Sequence, residues 1–425
     1  MAQALPPAQR PLAGAFDVPP SKSLLQRALV LSALADLPCD LRQADGRPAL
    51  GPGCARDVLE LSAALEQLGR WQEGALGTSR ASLVLDLGLG ATGLRLCTAL
   101  ATLRPAGART LVRGRPALLA RPHRELRRAL GRLGAHVVRK PSGAHRVIGG
   151  GMRGGEVSVA AQHSSQHLSA LMLLAPRLGG LCVRVPGVAV SRPYLAVTAA
   201  VLRSFGIEVG LAGLAAPGGR IEVAGGVPHC EGLVVEPDAS AAAWWWAAAA
   251  LTGGRAHVPG LPAGSAQADA VLPALLARMG ARVDVLAGGV AEVQGPPQGL
   301  AAAGEVDLRD APDLLPLVAV LAAFARGRTR LVGLAHARGK ESDRVARSAA
   351  LLAALGIEAE AGDSDLVVQG GAPRAACLHA HGDHRLAFAA ALAALRLPGT
   401  SLEGAAAVAK SHPSLWHDLE AATRA

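Results

Sequence analysis

Residues 103–114 read L-R-P-A-G-A-R-T-L-V-R-G: the end of an Ala/Leu-rich helical stretch, a turn with Pro and Gly, and a strand-like run that closes on glycine. The pattern returns as L-G-G-L-C-V-R-V-P-G, L-T-G-G-R-A-H-V-P-G, F-A-R-G-R-T-R-L-V-G and L-R-L-P-G-T-S-L-E-G. The five closing glycines, from Gly114 to Gly404, are separated by 73, 73, 73 and 71 residues. One further step towards the N-terminus reaches the strand-like residues 39–43, which makes six copies of one unit.

A second helix-to-strand element lies between these segments, centred on runs such as L-G-R-L-G-A-H-V-V and L-A-R-M-G-A-R-V-D-V. Its glycines are Gly69, Gly134, Gly206, Gly280 and Gly356. Strands and helices therefore alternate within each copy, which indicates the α/β class. The period exceeds that of solenoid repeats, and 425 residues are too many for one ordinary core. We expect six small α/β units grouped into globular domains.

The composition excludes several classes of protein. Half of the residues are hydrophobic, which excludes a disordered chain. The longest stretch without a charged residue or His, 239–254, is shorter than the roughly 18 residues of a membrane span. Residues 1–20 lack an apolar run and a cleavage site, so we expect no targeting peptide and a cytoplasmic protein. The consecutive Trp residues 244–246 face different directions on a helix and are interpreted as packing residues.

Cysteines, charge and residue usage narrow the choice of partner. The six cysteines form no Cys-x-x-Cys and are interpreted as small buried residues, with neither disulfides nor a zinc site. The net charge of +10 is dispersed, and few aromatic residues are present to stack bases, which favours a small anionic substrate over nucleic acid. There is no Asn, one Tyr, and only four Lys against 39 Arg. Lys22, Lys340, Lys410 and Tyr194 are therefore candidates for required chemistry, whereas Lys140 is interpreted as accidental.

Six ordered motifs carry the chemistry. Residues 19–28, P-P-S-K-S-L-L-Q-R-A, place Lys22, Ser23 and Arg27 where a loop enters a helix, a position that favours anions. Further along the chain come A-Q-H-S-S-Q-H-L-S-A-L (161–171), S-R-P-Y (191–194), R-G-K-E-S-D-R (338–344), G-D-H-R-L-A (382–387) and V-A-K-S-H-P (408–413). With these motifs, residues 15 to 420 resemble the 5-enolpyruvylshikimate-3-phosphate synthases, or 3-phosphoshikimate 1-carboxyvinyltransferases.

The resemblance implies a fold and a reaction. The fold has two similar domains, each of three βαβαββ units in an inside-out α/β barrel. One domain would comprise residues 1–16 and 236–425 and the other residues 17–235, with the active site in the cleft between them. The reaction transfers the enolpyruvyl group of phosphoenolpyruvate to the 5-hydroxyl of shikimate 3-phosphate, in the pathway to chorismate and aromatic amino acids. The resemblance implies no metal and no organic cofactor, and we expect a monomer with neither nucleic acid nor membrane as a partner.

The resemblance also implies the binding residues, and physics supports basic ones because two multiply anionic substrates must be held together. Shikimate 3-phosphate would be bound by Lys22, Ser23, Arg27, Ser164, Ser165, Gln166, Ser191, Tyr194, Asp313 and Lys340. Phosphoenolpyruvate would be bound by Lys22, Ala91, Arg121, Gln166, Arg344, Arg385 and Lys410.

Two proton transfers require a pair of carboxyl groups with separate roles. By resemblance, Asp313 would take the proton of the attacking hydroxyl, and Glu341 would protonate the methylene carbon of phosphoenolpyruvate. Lys22 and Lys410 would stabilise and protonate the departing phosphate, and His384 would orient its neighbours. An alternative for Glu341 is a structural ion pair with Lys340 or Arg344 on one helix face.

Three positions depart from the family pattern. The glycine loop reads Gly88-Leu89-Gly90-Ala91-Thr92, so Leu89 stands where Asn is usual, and the Ala resembles a divergent class of the family. His336 and Gln26 also replace Asn. A chain without any Asn had to lose these residues.

Two other functions compete with this interpretation. A UDP-N-acetylglucosamine enolpyruvyl transferase is expected to carry a catalytic Cys in the loop that here spans residues 115–121, which has none. A basic phosphoanion- or RNA-binding protein without enzymatic activity would explain the charge, but Asp313 and Glu341 would repel its ligand.

Overall fold

The computed structural model describes residues 2–51, 53–72 and 74–424. The strands are β1 (Ala2–Ala4), β2 (Ala13–Ala15), β3 (Asp40–Arg42), β4 (Trp71–Gln72), β5 (Ala75–Leu76), β6 (Leu83–Asp86), β7 (Arg109–Arg113), β8 (His136–Arg139), β9 (His145–Ile148), β10 (Gly155–Ser158), β11 (Gly180–Val185), β12 (Val209–Ala212), β13 (Gly219–Ala224), β14 (Gly232–Val234), β15 (Arg255–Pro262), β16 (Arg282–Val285), β17 (Val290–Gln294), β18 (Gly304–Asp307), β19 (Arg328–Val332), β20 (Ala359–Ala361), β21 (Leu366–Gln369), β22 (Cys377–His379) and β23 (Ser401–Glu403).

The α-helices are α1 (Lys22–Leu34), α2 (Arg56–Leu68), α3 (Ala91–Leu100), α4 (Pro116–Leu119), α5 (Arg124–Arg132), α6 (Gln166–Leu174), α7 (Pro193–Ser204), α8 (Ala239–Thr252), α9 (Leu272–Arg278), α10 (Leu315–Phe324), α11 (Arg344–Ala354), α12 (His384–Ala394) and α13 (Leu415–Arg424). Short 3₁₀ turns carry or precede three of the candidate site residues. Asp313 lies in Pro312–Leu314, Lys410 ends Ala405–Lys410, and Lys340 directly follows Ala335–Gly339.

The chain divides into two compact units. The first unit comprises Met1–Ser21, Gly53–Ala55 and Glu236–Ala425, and the second comprises Lys22–Pro52 and Arg56–Val235. The sequence-based boundary lay after residue 16, whereas the observed one follows Ser21. Ser21 stays with the first unit because its amide donates to the carbonyl of Glu236 at 2.8 Å and its hydroxyl donates to Gln267 at 2.7 Å.

Four sheets of four strands share one topology. Their strand orders are β6-β7-β9-β8 and β10-β11-β13-β12 in the second unit, and β2-β15-β17-β16 and β18-β19-β21-β20 in the first. In each sheet the first two strands run parallel, and the remaining pairs are antiparallel. In three of these sheets a helix connects the first two strands, because parallel neighbours need a crossover connection, and in all four a helix follows the second strand. Between β2 and β15 the chain first passes through the second unit, and α8 then leads into β15. Each sheet is therefore one βαβαββ copy.

The remaining two copies are shorter. In the second unit, β14 pairs in parallel with β3, and β4 and β5 form a separate two-stranded sheet. In the first unit, β22 pairs in parallel with β23, which takes β1 as an antiparallel neighbour. Each unit therefore holds three copies, and the predicted sixfold repetition is confirmed.

The first helix of each copy in the first unit is buried all round. These helices, α8, α10 and α12, pack against one another. All three consecutive tryptophans of α8 are at most 2% exposed, and the indole of Trp244 donates to the carbonyl of Phe388 on α12 at 2.9 Å. A helix that is apolar on every side belongs in a core, so the interpretation of residues 244–246 as packing residues is confirmed.

The second unit repeats this arrangement around α6, which packs against α1, α3 and α7 within one hydrophobic cluster. Among the residues that the structure describes, none of the helices combines the length and apolarity required to cross a bilayer.

The interpretation of all six cysteines as buried is wrong in part. Cys39, Cys54 and Cys97 are buried, but Cys182 and Cys230 are half-buried and Cys377 is exposed, because it lies on the open face of β22.

Candidate active site

Predicted site residues lie at the N-terminal ends of helices in both units. Lys22 begins α1, Ala91 begins α3, Gln166 begins α6 and Arg344 begins α11, and Arg385 is the second residue of α12. The first amide groups of a helix lack carbonyl partners, and the helix dipole adds positive partial charge there. Both units therefore place their candidate side chains where anions bind favourably.

Arg344 is the centre of the site in the first unit. Its guanidinium is 1% exposed and donates to Asp313 at 2.6 Å and to Glu341 at 2.8 Å. It also donates twice to Asp383, at 2.8 and 3.2 Å, and Asp383 is fully buried. Charge-assisted bonds in this fork geometry are among the strongest hydrogen bonds in proteins. One arginine thus holds three carboxylates, and these bonds raise its pKa well above the ordinary value against the effect of burial.

Asp313 lies in the turn that leads into α10 and is surrounded by cations. Besides the bond from Arg344, it accepts from Arg385 at 3.2 Å, and the ammonium of Lys340 lies 3.8 Å away. Burial alone would raise the pKa of Asp313, but Arg344, Lys340 and Arg385 hold it well below the ordinary value. Asp313 is therefore ionised at neutral pH and able to accept a proton.

Glu341 links Arg344 to Lys410. The ammonium of Lys410 donates to one carboxylate oxygen of Glu341 at 2.6 Å, and Arg344 donates to the other. The ion pair with Arg344 that the sequence left as an alternative for Glu341 is therefore present. This ion pair does not exclude a role for Glu341 in proton transfer, because the same carboxylate also accepts a hydrogen bond from Lys410, which can donate a proton.

Two carboxylates of this cluster were missed by the sequence analysis. Asp383 caps α12 by accepting from the amide of Arg385 at 2.9 Å, and an Asp directly before a helix is a signal that could have found it. Asp269, 1% exposed, lies 3.6 Å from Arg385 and accepts from Ser240, and no motif marks it. Burial raises the pKa of Asp269 to about 6, although Arg385 opposes this shift. Asp269 and Asp313 thus share one guanidinium.

Two histidines of the first unit lie beside this cluster. His384 is 2% exposed, with one ring nitrogen 3.8 Å from Asp383 and its ring edge-on to Phe388. His336, one of the positions where Asn is usual, is buried, and burial together with the charge of Lys340 lowers its pKa to about 4. The imidazole of His336 is therefore neutral at pH 7, beside the charged groups.

In the second unit, Lys22 and Asp57 join the starts of two helices. The ammonium of Lys22 lies 3.3 Å from the carboxylate of Asp57, the second residue of α2. Gln26, one turn along α1, donates its amide to the carbonyl of Asp57 at 3.1 Å. The sequence analysis missed Asp57, although an acidic residue in the first turn of a helix is a recognisable signal.

Arg27 is directed into the interior of the second unit. It is 2% exposed and donates to the carbonyls of Ser23 and Tyr194 and to the hydroxyls of Thr198 and Ser169. Burial lowers its pKa to about 10, an effect that Tyr194 opposes. These bonds tie α1, α6 and α7 together, so Arg27 has a structural role, and its contact with shikimate 3-phosphate stays a prediction.

Gln166 is paired with a residue that the sequence analysis missed. Arg95, on α3 and 1% exposed, donates one amino group to the side-chain oxygen of Gln166 and another to the carbonyl of Pro122 at 3.1 Å. His167 contacts the same carbonyl at 3.2 Å. Pro122 follows the half-buried Arg121, so Arg95 connects two predicted phosphoenolpyruvate ligands. No motif marks Arg95, because its partners come from other helices and loops.

The remaining predicted residues cluster at helix starts. Ser164 accepts from the amide of Gln166 at 3.2 Å, and Ser165 precedes α6 in a buried position. Ser191 has a backbone φ of +55°, which is rare for a residue with a side chain and marks a strained turn before α7, whose second residue is Tyr194. Ala91 is buried at the first position of α3, a helix start that no side chain caps.

Three buried histidines beside Arg95 predict acid sensitivity. Burial, with Arg95 adding to it, lowers the pKa of His123 to about 2 and that of His167 to about 3, and burial and nearby arginines lower that of His145 to about 4. In the unfolded chain these groups titrate near 6.5. Below that pH the three histidines bind protons in the unfolded state but stay neutral in the folded state until the pH is lower. The free energy of unfolding should therefore fall between pH 6.5 and 4, by up to roughly 1.4 kcal/mol per pH unit for each histidine.

Urea unfolding followed by circular dichroism at pH 7 and pH 5 measures this dependence. His167→Phe removes one titrating group and should flatten it, whereas His136→Gln, at an exposed strand position, should leave it unchanged. An unchanged slope in His167→Phe would contradict the prediction.

The chain is similar in sequence and in fold to known proteins of one enzyme family. A sequence model of the family described as EPSP synthase (3-phosphoshikimate 1-carboxyvinyltransferase) matches residues 7–419. A 3-phosphoshikimate 1-carboxyvinyltransferase of Methanothermobacter thermautotrophicus is 34% identical, covering 95% of this chain and 94% of that protein. One from Syntrophobacter fumaroxidans is 36% identical, with 95% and 96% covered. An EPSP synthase structure from Acinetobacter baumannii shares the fold, with a TM-score of 0.78, 23% identity, and 99% and 98% of the two chains covered.

Proposed function

The chain belongs to the EPSP synthase (3-phosphoshikimate 1-carboxyvinyltransferase) family, and on that premise we propose which of its residues bind each substrate and which move protons. The enzyme transfers the enolpyruvyl group of phosphoenolpyruvate to the 5-hydroxyl of shikimate 3-phosphate and releases phosphate. This reaction belongs to the shikimate pathway, which leads to chorismate and the aromatic amino acids. Its partners are two small anionic substrates.

The proposal assigns residues of both units to these substrates. Shikimate 3-phosphate contacts the hydroxyls and cations of the second unit, with Asp313 and Lys340 from the first. Phosphoenolpyruvate contacts Lys22, Arg121 and Gln166 together with Arg344, Arg385 and Lys410. This assignment is supported by Lys22, Gln166, Arg344 and Arg385, which lie at helix starts, where amides and dipoles add to the side-chain charge.

One observation carries the assignment of proton transfers: Asp313 and Glu341 are bonded to the same guanidinium, Arg344, at 2.6 and 2.8 Å. Two carboxylates held in fixed positions but with different neighbours are suited to different proton-transfer roles. Three cations surround Asp313, whereas Glu341 has a lysine as a proton donor.

Asp313 acts as the base. In the structure its cations keep it ionised but make it a weak base. An arriving phosphate or carboxylate competes for Lys340 and Arg385, which raises the basicity of Asp313 as the substrates bind. The proton of the 5-hydroxyl then moves to Asp313 while the oxygen attacks phosphoenolpyruvate.

Glu341 transfers a proton to the methylene carbon of phosphoenolpyruvate. Lys410, at 2.6 Å, supplies the proton that Glu341 passes to this carbon. In the elimination, Glu341 takes a proton back from the same carbon and returns it to Lys410. The departing phosphate is protonated by Lys22 or Lys410 and stabilised by their charge, and the hydroxyl proton held by Asp313 replaces the proton that the lysine gave up. The assignment needs no metal and no organic cofactor.

A phosphate-release assay tests the function. The purified chain should release phosphate only with phosphoenolpyruvate and shikimate 3-phosphate together, and a chelator should have no effect. UDP-N-acetylglucosamine should not replace shikimate 3-phosphate. Release without the second substrate, or with the sugar nucleotide, would refute the assignment.

Lys22→Arg should lower kcat by at least about 100-fold, although it preserves the charge, because a guanidinium gives up a proton far less readily than an ammonium. The bulkier group must also share the space beside Asp57. Lys140→Arg, at an exposed position, is the matched control and should keep the normal rate. Equal rates in both variants would show that Lys22 only supplies charge.

The expectations of a monomer, of a cytoplasmic location, and of neither nucleic-acid nor membrane partners stay predictions. Gel filtration at several protein concentrations would test the first of these.

A further inference from the structure

The exposed face of the sheet formed by β22 and β23 carries a thiol, an imidazole and a carboxylate side by side. The strands run parallel in a register that places Cys377 opposite Ser401 and His379 opposite Glu403. Side chains alternate between the two faces of a strand. Leu378 and Leu402 are accordingly buried on the opposite face, and Cys377, His379 and Glu403 are exposed together.

We propose that Cys377, His379 and Glu403 bind one divalent transition-metal ion, with Zn²⁺ as the expected occupant. One potential ligand atom from each of the three lies within 4.8 Å of the other two. Tetrahedral zinc, with bonds of about 2.0–2.3 Å, places its ligand atoms roughly 3.3–3.8 Å apart. Exposed side chains cover the remaining distance by changing rotamer, without moving the backbone.

The donor set selects the type of metal. Thiolate and imidazole are ligands of zinc and its transition-metal neighbours, whereas Mg²⁺ and Ca²⁺ prefer oxygen alone. The fourth position remains for water or for His381, whose ring centre lies 5.7 Å from that of His379.

A surface ion pair is the simpler explanation for part of this cluster, since His379 lies 3.0 Å from Glu403. It does not explain why an exposed cysteine stands two residues before that histidine, when Cys39, Cys54 and Cys97 are buried. In the proposed site the metal takes the place of the proton on His379 and of the thiol proton of Cys377. Binding therefore releases protons and should weaken as the pH falls.

The proposal concerns a site separate from the reaction. None of the three residues belongs to the proposed active site, and the test requires neither substrate. It therefore stands or falls independently of the proposed function.

Co²⁺ titration of the full chain, after removal of metals with a chelator, is the test. We expect saturable binding of one ion with the thiolate-to-cobalt charge-transfer absorption of a cysteine ligand, and displacement of Co²⁺ by added Zn²⁺. Cys377→Ser should abolish that absorption, and His379→Ala should lower the Co²⁺ affinity by at least about tenfold because one of three protein ligands is lost. Cys230→Ser, at a half-buried cysteine of the second unit, is the matched control and should bind normally.

The absence of saturable binding, or a thiolate absorption that persists in Cys377→Ser, would overturn the proposal. Binding that is equally tight in His379→Ala would also overturn it. Loss of the absorption in Cys377→Ser alone, with Cys230→Ser unchanged, would support it.

Discussion

Asp313→Asn is expected to lower kcat by about 100- to 10,000-fold, the usual contribution of a positioned general base. The amide keeps the size of the side chain and can still accept a bond from Arg344, which is 2.6 Å from the carboxylate. It cannot take the proton of the attacking hydroxyl. Steady-state phosphate release at saturating substrates measures the effect, with Asp363→Asn, at an exposed position, as the matched control.

The shape of the pH profile separates a base from a structural carboxylate. If Asp313 is the base, the kcat profile of the unchanged enzyme should have an acid limb that is absent from the residual activity of Asp313→Asn. A residual rate within about threefold of normal, or an unchanged acid limb, would assign the base to another group.

Arg344→Met is expected to lower the free energy of unfolding of the first unit by about 3–5 kcal/mol, the usual cost of leaving buried charges unpaired. Asp383 is fully buried and would lose its guanidinium partner, and Asp313 and Glu341 would each lose a close one. Lys340, Arg385 and Lys410 would still offset part of their mutual repulsion.

Urea unfolding followed by tryptophan fluorescence reports on this unit, because four of the five tryptophans, 244–246 and 416, belong to it. Arg347→Met is the matched control, since it lies on the same helix but is exposed, and it should change stability by less than about 0.5 kcal/mol. Equal effects of the two substitutions would show that the buried cluster contributes little to stability.

The repeated fold could be predicted from the sequence because its signals are local. Gly333 and Gly404 directly follow their strands and adopt the left-handed backbone conformation that favours glycine, and Gly260 adopts it at a register irregularity within β15. Gly114 is required for a different reason, since a Cβ there would meet the carbonyl oxygen of Gly88 at 2.8 Å. Both requirements act over a few residues of chain, so the glycines can be recognised from the sequence alone.

The site could be predicted only in part. Lys22, Arg344 and Arg385 stand in recognisable motifs at helix starts, and the structure places them there. Arg95 and Asp269 have no local signal, because each acts on a partner that is remote in the chain, Gln166 and Arg385 respectively. The pair Cys377 and His379 was overlooked because its third member, Glu403, comes from the next strand.

The sequence by itself determined the six α/β copies, the helix starts and the motif residues, because turn chemistry and hydrophobic periodicity act over a few neighbouring residues. Only the tertiary structure decided that Arg344 holds three carboxylates, that Arg27 is directed into the core, and that Glu403 lies beside His379. These pairings depend on sheet register and helix packing. Register and packing are set by the sum of many weak contacts along the whole chain, which no single motif contains.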